Sequence, residues 1–313
     1  MLSILFTACQ KSGKELFSTE EPELQPLTLG IMPTLEGLPF LLAQRQGIYD
    51  SLGLKLNIQQ FNSANERDAV FNSGKIEGMI TDYPSAAIIY AHHSNICFVM
   101  KTEGCFCFIV SKGSQIRQIS QLSSKNIAIS RNTIVEYATD RLLDKNNIEV
   151  TTINRPEIGQ IPLRLQMLQY GQIEASFLPD PIASIAMNNG HKSLISTQEL
   201  GINLTGTAFS KKALTEKTTE IKYLIKGYNL AIEYIQTHPQ KDWSSVLKEL
   251  GIPEKLTGLI VLPAYKKAAL PDIREMKNAI DWLKSRGRIS RSYPALSLID
   301  TTFIPTQTNP IEN

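Results

Sequence analysis

Leu27, Leu29 and Ile31 alternate with polar or small residues at the period of a half-buried strand, and Leu54, Leu56 and Ile58 repeat that period. Between them Leu38, Leu41 and Leu42 recur at helical spacing as far as Gly47, so the chain opens as a strand, helix, strand unit. The same reading predicts helix 64–73, strand 77–82, helix 84–92 and strand 96–101. That alternation specifies an α/β fold with mixed, mostly parallel sheets flanked by helices. The dense apolar run 105–111 marks a crossing into a second lobe, expected to hold strand 126–130, helix 133–145, a helix near 161–170, strand 174–178 and helix 181–188 before closing near Gly201. Beyond Ala208-Phe209 the chain reads as mainly helical, with Ile221, Leu224, Ile225, Tyr228 and Ile232 on one face and a stop at Pro239. The expected organisation is therefore a leader and tether over 1–26, lobe one over 27–103 plus 205–313, and lobe two over 104–204.

One pattern occurs twice. Residues 74–86, GKIEGMITDYPSA, and 171–183, GQIEASFLPDPIA, share Gly, any residue, Ile-Glu, a small residue, two apolar residues and a polar loop ending Pro-x-Ala. Each copy reads as a helix stopping at Gly, a short buried strand, and an exit loop into another helix. Ligands of open α/β sheets sit where strands end and helices begin, so two equivalent exit loops imply two lobes that present the same edge to a shared cleft.

Composition narrows the class. With 32 Lys+Arg against 30 Asp+Glu and no basic stripe, the charge balance argues against a nucleic-acid partner. No apolar stretch approaches the roughly 20 residues that span a bilayer. The first nine residues, MLSILFTAC, resemble the end of a bacterial lipoprotein signal, although a basic leader is missing and Phe6 stands where Leu is usual. The resemblance implies membrane attachment through a lipidated Cys9, with residues 10–26, rich in Lys, Glu, Ser and Pro, as a flexible tether. Cys97, Cys105 and Cys107 lie in apolar runs and read as small core residues. A zinc site needs about four ligands, and none of the three has a His or further Cys at metal-like spacing. No metal and no cofactor is expected, and a disulfide among the cysteines stays open. His92-His93 closes a helix, and His191 and His238 sit in turn-like contexts that predict surface positions.

Several segments together resemble the type II periplasmic binding proteins of ABC importers, in the branch that takes up aliphatic sulfonates, taurine, nitrate and thiamine pyrimidine precursors. They are Gly47-Ile48-Tyr49, Gly74-Lys75-Ile76-Glu77, Ile119-Ser120-Gln121-Leu122 leading to Ile127-Ala128-Ile129-Ser130, Gly171-Gln172-Ile173-Glu174-Ala175, and Asp281-Trp282-Leu283-Lys284-Ser285-Arg286-Gly287 followed by Ser290 to Pro305. The resemblance spans about residues 27–305. It implies a two-lobe clamp with hinges near 102–106 and 200–207, where Gly104, Gly201 and Gly206 absorb backbone rotation. It further implies a small-molecule ligand, delivery to an ABC permease in the membrane, a periplasmic or outer-face location, and a monomer.

The candidate site is built on strand-exit loops. Thr133-x-x-Glu136 is a capping box, which puts a helix N-terminus directly after strand 126–130. Its free N–H groups, with Ser130, Arg131, Asn132 and Thr133, suit a sulfonate, carboxylate or phosphate. The alternative is that Thr133 only caps and Arg131 points to solvent or pairs with an acid. Opposite, Thr34, Leu35 and Glu36 and the loop Thr81, Asp82 and Tyr83 offer hydrogen bonds and a ring for stacking on a flat heterocycle. The acids read equally as turn and helix-start residues. Tyr137, one turn into its helix, reads as core or ligand contact, and Asp180 occupies the second copy of the exit loop. Two functions compete: a lipid-anchored solute receptor that catalyses nothing, and an enzyme on the same fold, either a pyrimidine synthase or a dehydratase of menaquinone biosynthesis.

Overall fold

The computed structural model describes residues 24–291 and 293–304. Two sheets form, each flanked by helices. The chain first lays down β1 (Leu27–Ile31), α1 (Leu38–Arg45), α2 (Ile48–Ser51), β2 (Leu56–Gln60), α3 (Ala64–Asn72), β3 (Gly78–Asp82), α4 (Tyr83–His93) and β4 (Ile96–Lys101). It crosses to the second sheet with β5 (Phe106–Val110), β6 (Ile127–Ala128), α5 (Ile134–Lys145), α6 (Ile161–Gln169), β7 (Ala175–Pro179), α7 (Ile182–Asn188) and β8 (Lys192–Ser196). It then returns with β9 (Thr205–Ser210), α8 (Lys211–Glu216), α9 (Thr218–Thr237) and α10 (Ile273–Ser285). None of these helices is long and apolar enough to cross a membrane.

The first sheet runs β2-β1-β3-β9-β4 and the second β6-β7-β5-β8. Between the described strands, parallel pairing is confined to β1–β2, β1–β3 and β6–β7, where a helical crossover separates the strands. The strands that enter or re-enter a sheet from the other lobe, β5 and β9, run antiparallel to both neighbours. The sheets are thus mixed as expected, with a smaller parallel share than the alternation of strands and helices suggested. Two strands escaped the sequence reading. β8 is an edge strand with polar, exposed Lys192 and Ser193, and β9 is Thr- and Gly-rich although buried in the sheet interior.

The two crossing segments lie side by side. Thr102 N–H donates to Thr205 O at 3.0 Å, and the two threonine hydroxyls are 3.1 Å apart. Gly104 is required there: a Cβ would come within 2.6 Å of both Glu36 Oε1 and Thr205 Oγ1. One apolar cluster packs the first lobe, from Leu27 and Leu29 to Tyr228 and Leu247, and a small one packs α6 and α7 against β5 and β7 in the second. A third is shared, joining Tyr83 and Phe98 to Phe108, Tyr137 and Phe177.

The lobes touch across the cleft as well. Leu35 N–H donates to Asp180 O at 2.9 Å, and Ile161 N–H to Asn62 O at 3.0 Å. On the far side Asp140 of α5 accepts from Trp282 Nε1 of α10 at 2.7 Å and pairs with Arg286 and Arg155. His191 departs from its expected surface position. It is buried, its Nδ1 accepting from Lys112 N–H at 3.1 Å.

Candidate functional site

The two repeat copies fold as equivalent units. Gly74 and Gly171 end their helices at φ +73° and +67°, a left-handed conformation that costs glycine little. β3 and β7 follow, and their exit loops face the other lobe, Asp82 in a cavity lined by both lobes and Asp180 through its hydrogen bond from Leu35 N–H. Between the carboxyl ends of β1, β3 and β6 lies a cavity that, counted with the solvent space at its mouth, encloses about 500 Å³. Thr34, Glu36, Thr81 and Asp82 line it from one lobe, and Ser130, Thr133 and Gly159 from the other, with Ile80, Ile134, Val135 and Ile161 as an apolar wall.

Two arginines complete the lining, Arg67 and Arg164, only 3% and 1% exposed. They are repeat partners. Arg67 lies seven residues before Gly74 and Arg164 seven before Gly171, so the internal repeat begins further upstream than the strand and loop suggest. Each sits on the buried stripe of its helix, with Ala64 and Phe71 in α3 and with Ile161 and Leu168 in α6. That spacing, a charged residue on an apolar helix face, is the sequence signal that identifies them.

Their neutralisation differs. Arg67 donates through Nε and Nη2 to Asp68 Oδ1 at 2.9 and 2.7 Å and through Nη1 to Ile80 O, so its fork is occupied. The second copy has Leu165 in place of that Asp. Arg164 Nη1 donates to Ile158 O at 2.8 Å, its buried Nε has no partner, and no ion pair forms with it among the described residues. Burial pulls its pKa from 12.5 down to about 10, with nearby Glu157 opposing. A buried cation without a counter-ion is costly, and an anion entering the cavity relieves that cost.

The N-terminus of α5 adds to the same field. Thr133 Oγ1 accepts from Val135 N–H at 3.2 Å and donates to Ser130 O, while Glu136 reaches back to Asn132 N–H at 2.7 Å. The other N–H groups of a first turn have no intrahelical partner. Asn132 holds φ +62° at the turn into the helix. Thr81 Oγ1 is buried in the lining with no partner. The acids are tuned by burial. Asp82 caps α4 through Ser85 N–H at 2.9 Å and is pushed up to about 6, burial outweighing Arg67. Glu36 is also raised, contacts with the Thr34 and Thr205 hydroxyls opposing its burial.

Of the residues proposed from sequence, Thr34, Glu36, Thr81, Asp82, Ser130 and Thr133 come together in the cavity. Others do not. Arg131 is 58% exposed at its side chain and pairs with Glu157, which a bridge between Ile129 and Glu157 carries alongside. Tyr83 is buried against Phe98 at a ring separation of 5.0 Å, and Tyr137 against Trp282 at 5.4 Å, so both rings pack the core and neither lines the cavity. Leu35 and Asp180 line a neighbouring pocket, open to solvent, with Glu36, Glu103 and Cys105. Cys9 lies outside the described residues.

A model of a known family matches residues 35–242, and its description is NMT1/THI5 like. The chain belongs to the NMT1/THI5-like family. No curated protein sequence matches it. Its fold is that of the periplasmic binding proteins. The aliphatic sulphonate-binding protein SsuA from Escherichia coli is similar with a TM-score of 0.75 at 14% identity, over 88% of this chain and 97% of that one. The alkanesulfonate-binding SsuA from Xanthomonas axonopodis pv. citri, bound to MOPS, gives 0.73 at 16% identity over 89% and 99%. The periplasmic nitrate-binding protein NrtA from Synechocystis PCC 6803 gives 0.62 at 12% identity, over 74% and 68%. At such identities the likeness establishes this family member's fold and leaves its ligand to the chemistry of the cleft.

Proposed function

We propose that the protein is the solute-binding component of an ABC importer and that it captures a small organic anion, of sulfonate type, between its lobes for delivery to a permease. The observation that carries this reading is Arg164: a buried guanidinium on the cavity wall with no acid paired to it and an unpartnered Nε. A sulfonate or carboxylate supplies the missing charge and acceptors, Ser130, Thr133 and Thr81 supply hydroxyls, and the Ile80, Ile134 and Ile161 side chains suit a short aliphatic body. The solved relatives that bind sulfonates or nitrate support the same class. The alternative ligand, an aminopyrimidine, loses its expected stacking partner because Tyr83 is a core residue, as is Tyr137.

Closure follows from contacts made by both lobes. A ligand touching Arg164 and Thr133 on one side and Thr34 and Thr81 on the other favours the state in which Leu35 and Asp180 are hydrogen-bonded, and shifts the population towards it. We further propose attachment to the membrane through a lipidated Cys9, and a monomeric receptor. The test combines thermal stability with chemistry. Alkylsulfonates, taurine, nitrate and hydroxymethylpyrimidine are added to the purified protein, and each mixture is then analysed by NMR. A rise in Tm with a sulfonate that is recovered unchanged supports the receptor. Conversion into a new product assigns the chain to the enzyme alternative. A Cys9→Ala protein that still partitions with detergent removes the anchor without touching the binding claim.

A further inference from the structure

We propose that Cys105, Cys107 and Asp180 form a binding site for a thiophilic divalent cation of the zinc type, in the wall of the pocket beside the anion cavity. Ligand atoms of the three side chains all lie within 4.8 Å of one another. The fold brings them together. Cys105 and Cys107 flank Phe106 at the start of β5, and alternate residues of an extended strand share a face. β5 pairs antiparallel with β7, Phe106 opposite Pro179, and Asp180 N–H donates to Cys105 O at 3.1 Å, which places the exit loop of the second repeat copy against both thiols. A Cys-x-Cys spacing alone carries no zinc site, and here the third ligand comes from far along the chain.

The chemistry of the donors fits a cation. Both hydrogen bonds to the Asp180 carboxylate, from Ser184 N–H and Oγ–H at 3.0 and 2.7 Å, fall on Oδ1, which leaves Oδ2 for coordination while Oδ1 still holds Ser184 in the first turn of α7. All three cysteines of the described chain are free thiols. Glu36 and Glu103 line the same pocket. A divalent cation binds both sulfurs as thiolates, the two thiol protons pass to solvent, and a water completes a tetrahedral set with Asp180 Oδ2. Two thiolates with one carboxylate suit a borderline-soft ion and disfavour magnesium or calcium.

The site also touches the clamp. Asp180 O accepts the Leu35 N–H across the cleft, so a cation held by Asp180 fixes the loop that closes on the other lobe.

The experiment loads phosphine-reduced full-length protein in a Cys9→Ser background with zinc chloride, removes free metal by gel filtration and measures zinc per chain, with cobalt(II) as a spectroscopic probe. One zinc per chain and a thiolate-to-cobalt charge-transfer band are expected. Cys107→Ser should abolish both, Cys97→Ser should change neither, and Asp180→Asn, which keeps an acceptor for Ser184, should weaken zinc binding by about tenfold or more in chelator competition. Circular dichroism shows whether each variant is folded. If Cys107→Ser is not folded, Asp180→Asn decides. Failure of reduced, folded wild-type protein to take up zinc overturns the proposal, as does uptake that Cys107→Ser or Asp180→Asn leaves unaltered.

Discussion

Replacing Arg164 by Met removes a buried charge and keeps an unbranched side chain on the same stripe of α6. At neutral pH the guanidinium is protonated in a place that lowers its pKa from 12.5 to about 10. At about 1.4 kcal/mol per pKa unit, holding that charge costs the folded state about 3 kcal/mol. Lost in exchange is the 2.8 Å charge-assisted bond to Ile158 O, about 1.5–3 kcal/mol, while the 3.4 Å contact to Gly159 O is too long to add much. Without ligand, Arg164→Met should therefore be at least as stable as wild type, by up to about 1.5 kcal/mol. Binding should move the other way. One charge-assisted hydrogen bond is worth about 1.5–3 kcal/mol, so the variant should bind an alkylsulfonate roughly 10- to 150-fold more weakly. Urea denaturation without ligand and calorimetric titration with it measure the two effects separately. A variant that binds within twofold of wild type removes Arg164 from the site. One destabilised by more than about 2 kcal/mol without ligand shows that the guanidinium is a structural element and that its counter-ion is already present.

Further outcomes follow from the same contacts. Arg131→Ala should change ligand affinity by less than about twofold and stability by about 0.5 kcal/mol at most, because its ion pair with Glu157 is largely solvated; calorimetry and denaturation check both. Asp82 has a folded pKa raised from 3.8 to about 6, so the native state is penalised as pH rises from 4 to 6 and carries the full penalty, about 3 kcal/mol, above that range. Asp82→Asn retains an acceptor for Ser85 N–H, so it should stabilise the protein by up to that amount at pH 7 and hardly at pH 4, and an equal effect at both values contradicts the assignment. Wild-type affinity for an anion should likewise rise as pH falls through about 6, where Asp82 loses its charge. Asp140→Ala removes the buried partner of Arg286, one of the two acids paired with Arg155, which keeps Glu136, and the acceptor of Trp282; it should cost about 3 kcal/mol in urea denaturation, at the low end for a buried pair because Arg286 is 32% exposed and Arg155 retains a partner.

Much of the architecture was legible because its signals are local. Leu27, Leu29 and Ile31 and the stripe from Ile221 to Ile232 state their periods within a few residues, and the structure places β1 and α9 there. β9 was not legible. Its sequence, TGTAFS, has few large apolar residues because it threads between β3 and β4, where a Cβ on Gly206 would come within 2.6 Å of Met100 O. β8 was missed for the opposite reason, as an edge strand whose outward positions are polar. The site divides in the same way. Strand-exit residues such as Asp82 and Thr133 were found from strand ends and caps. The exposure of Arg131 depends on Glu157, brought alongside by a pairing between distant segments. Arg164 was missed because an arginine inside an apolar helix reads as a surface residue until its repeat partner, Arg67, is seen at the same distance from Gly74.

If the cleft holds an organic anion, mass spectrometry of the protein purified under native conditions from its own host should find a single small acid, sulfonate or carboxylate, released intact on denaturation from wild-type protein and absent from Arg164→Met. A neutral pyrimidine in its place, or the same acid retained by Arg164→Met, would show that the cleft does not bind an anion through Arg164.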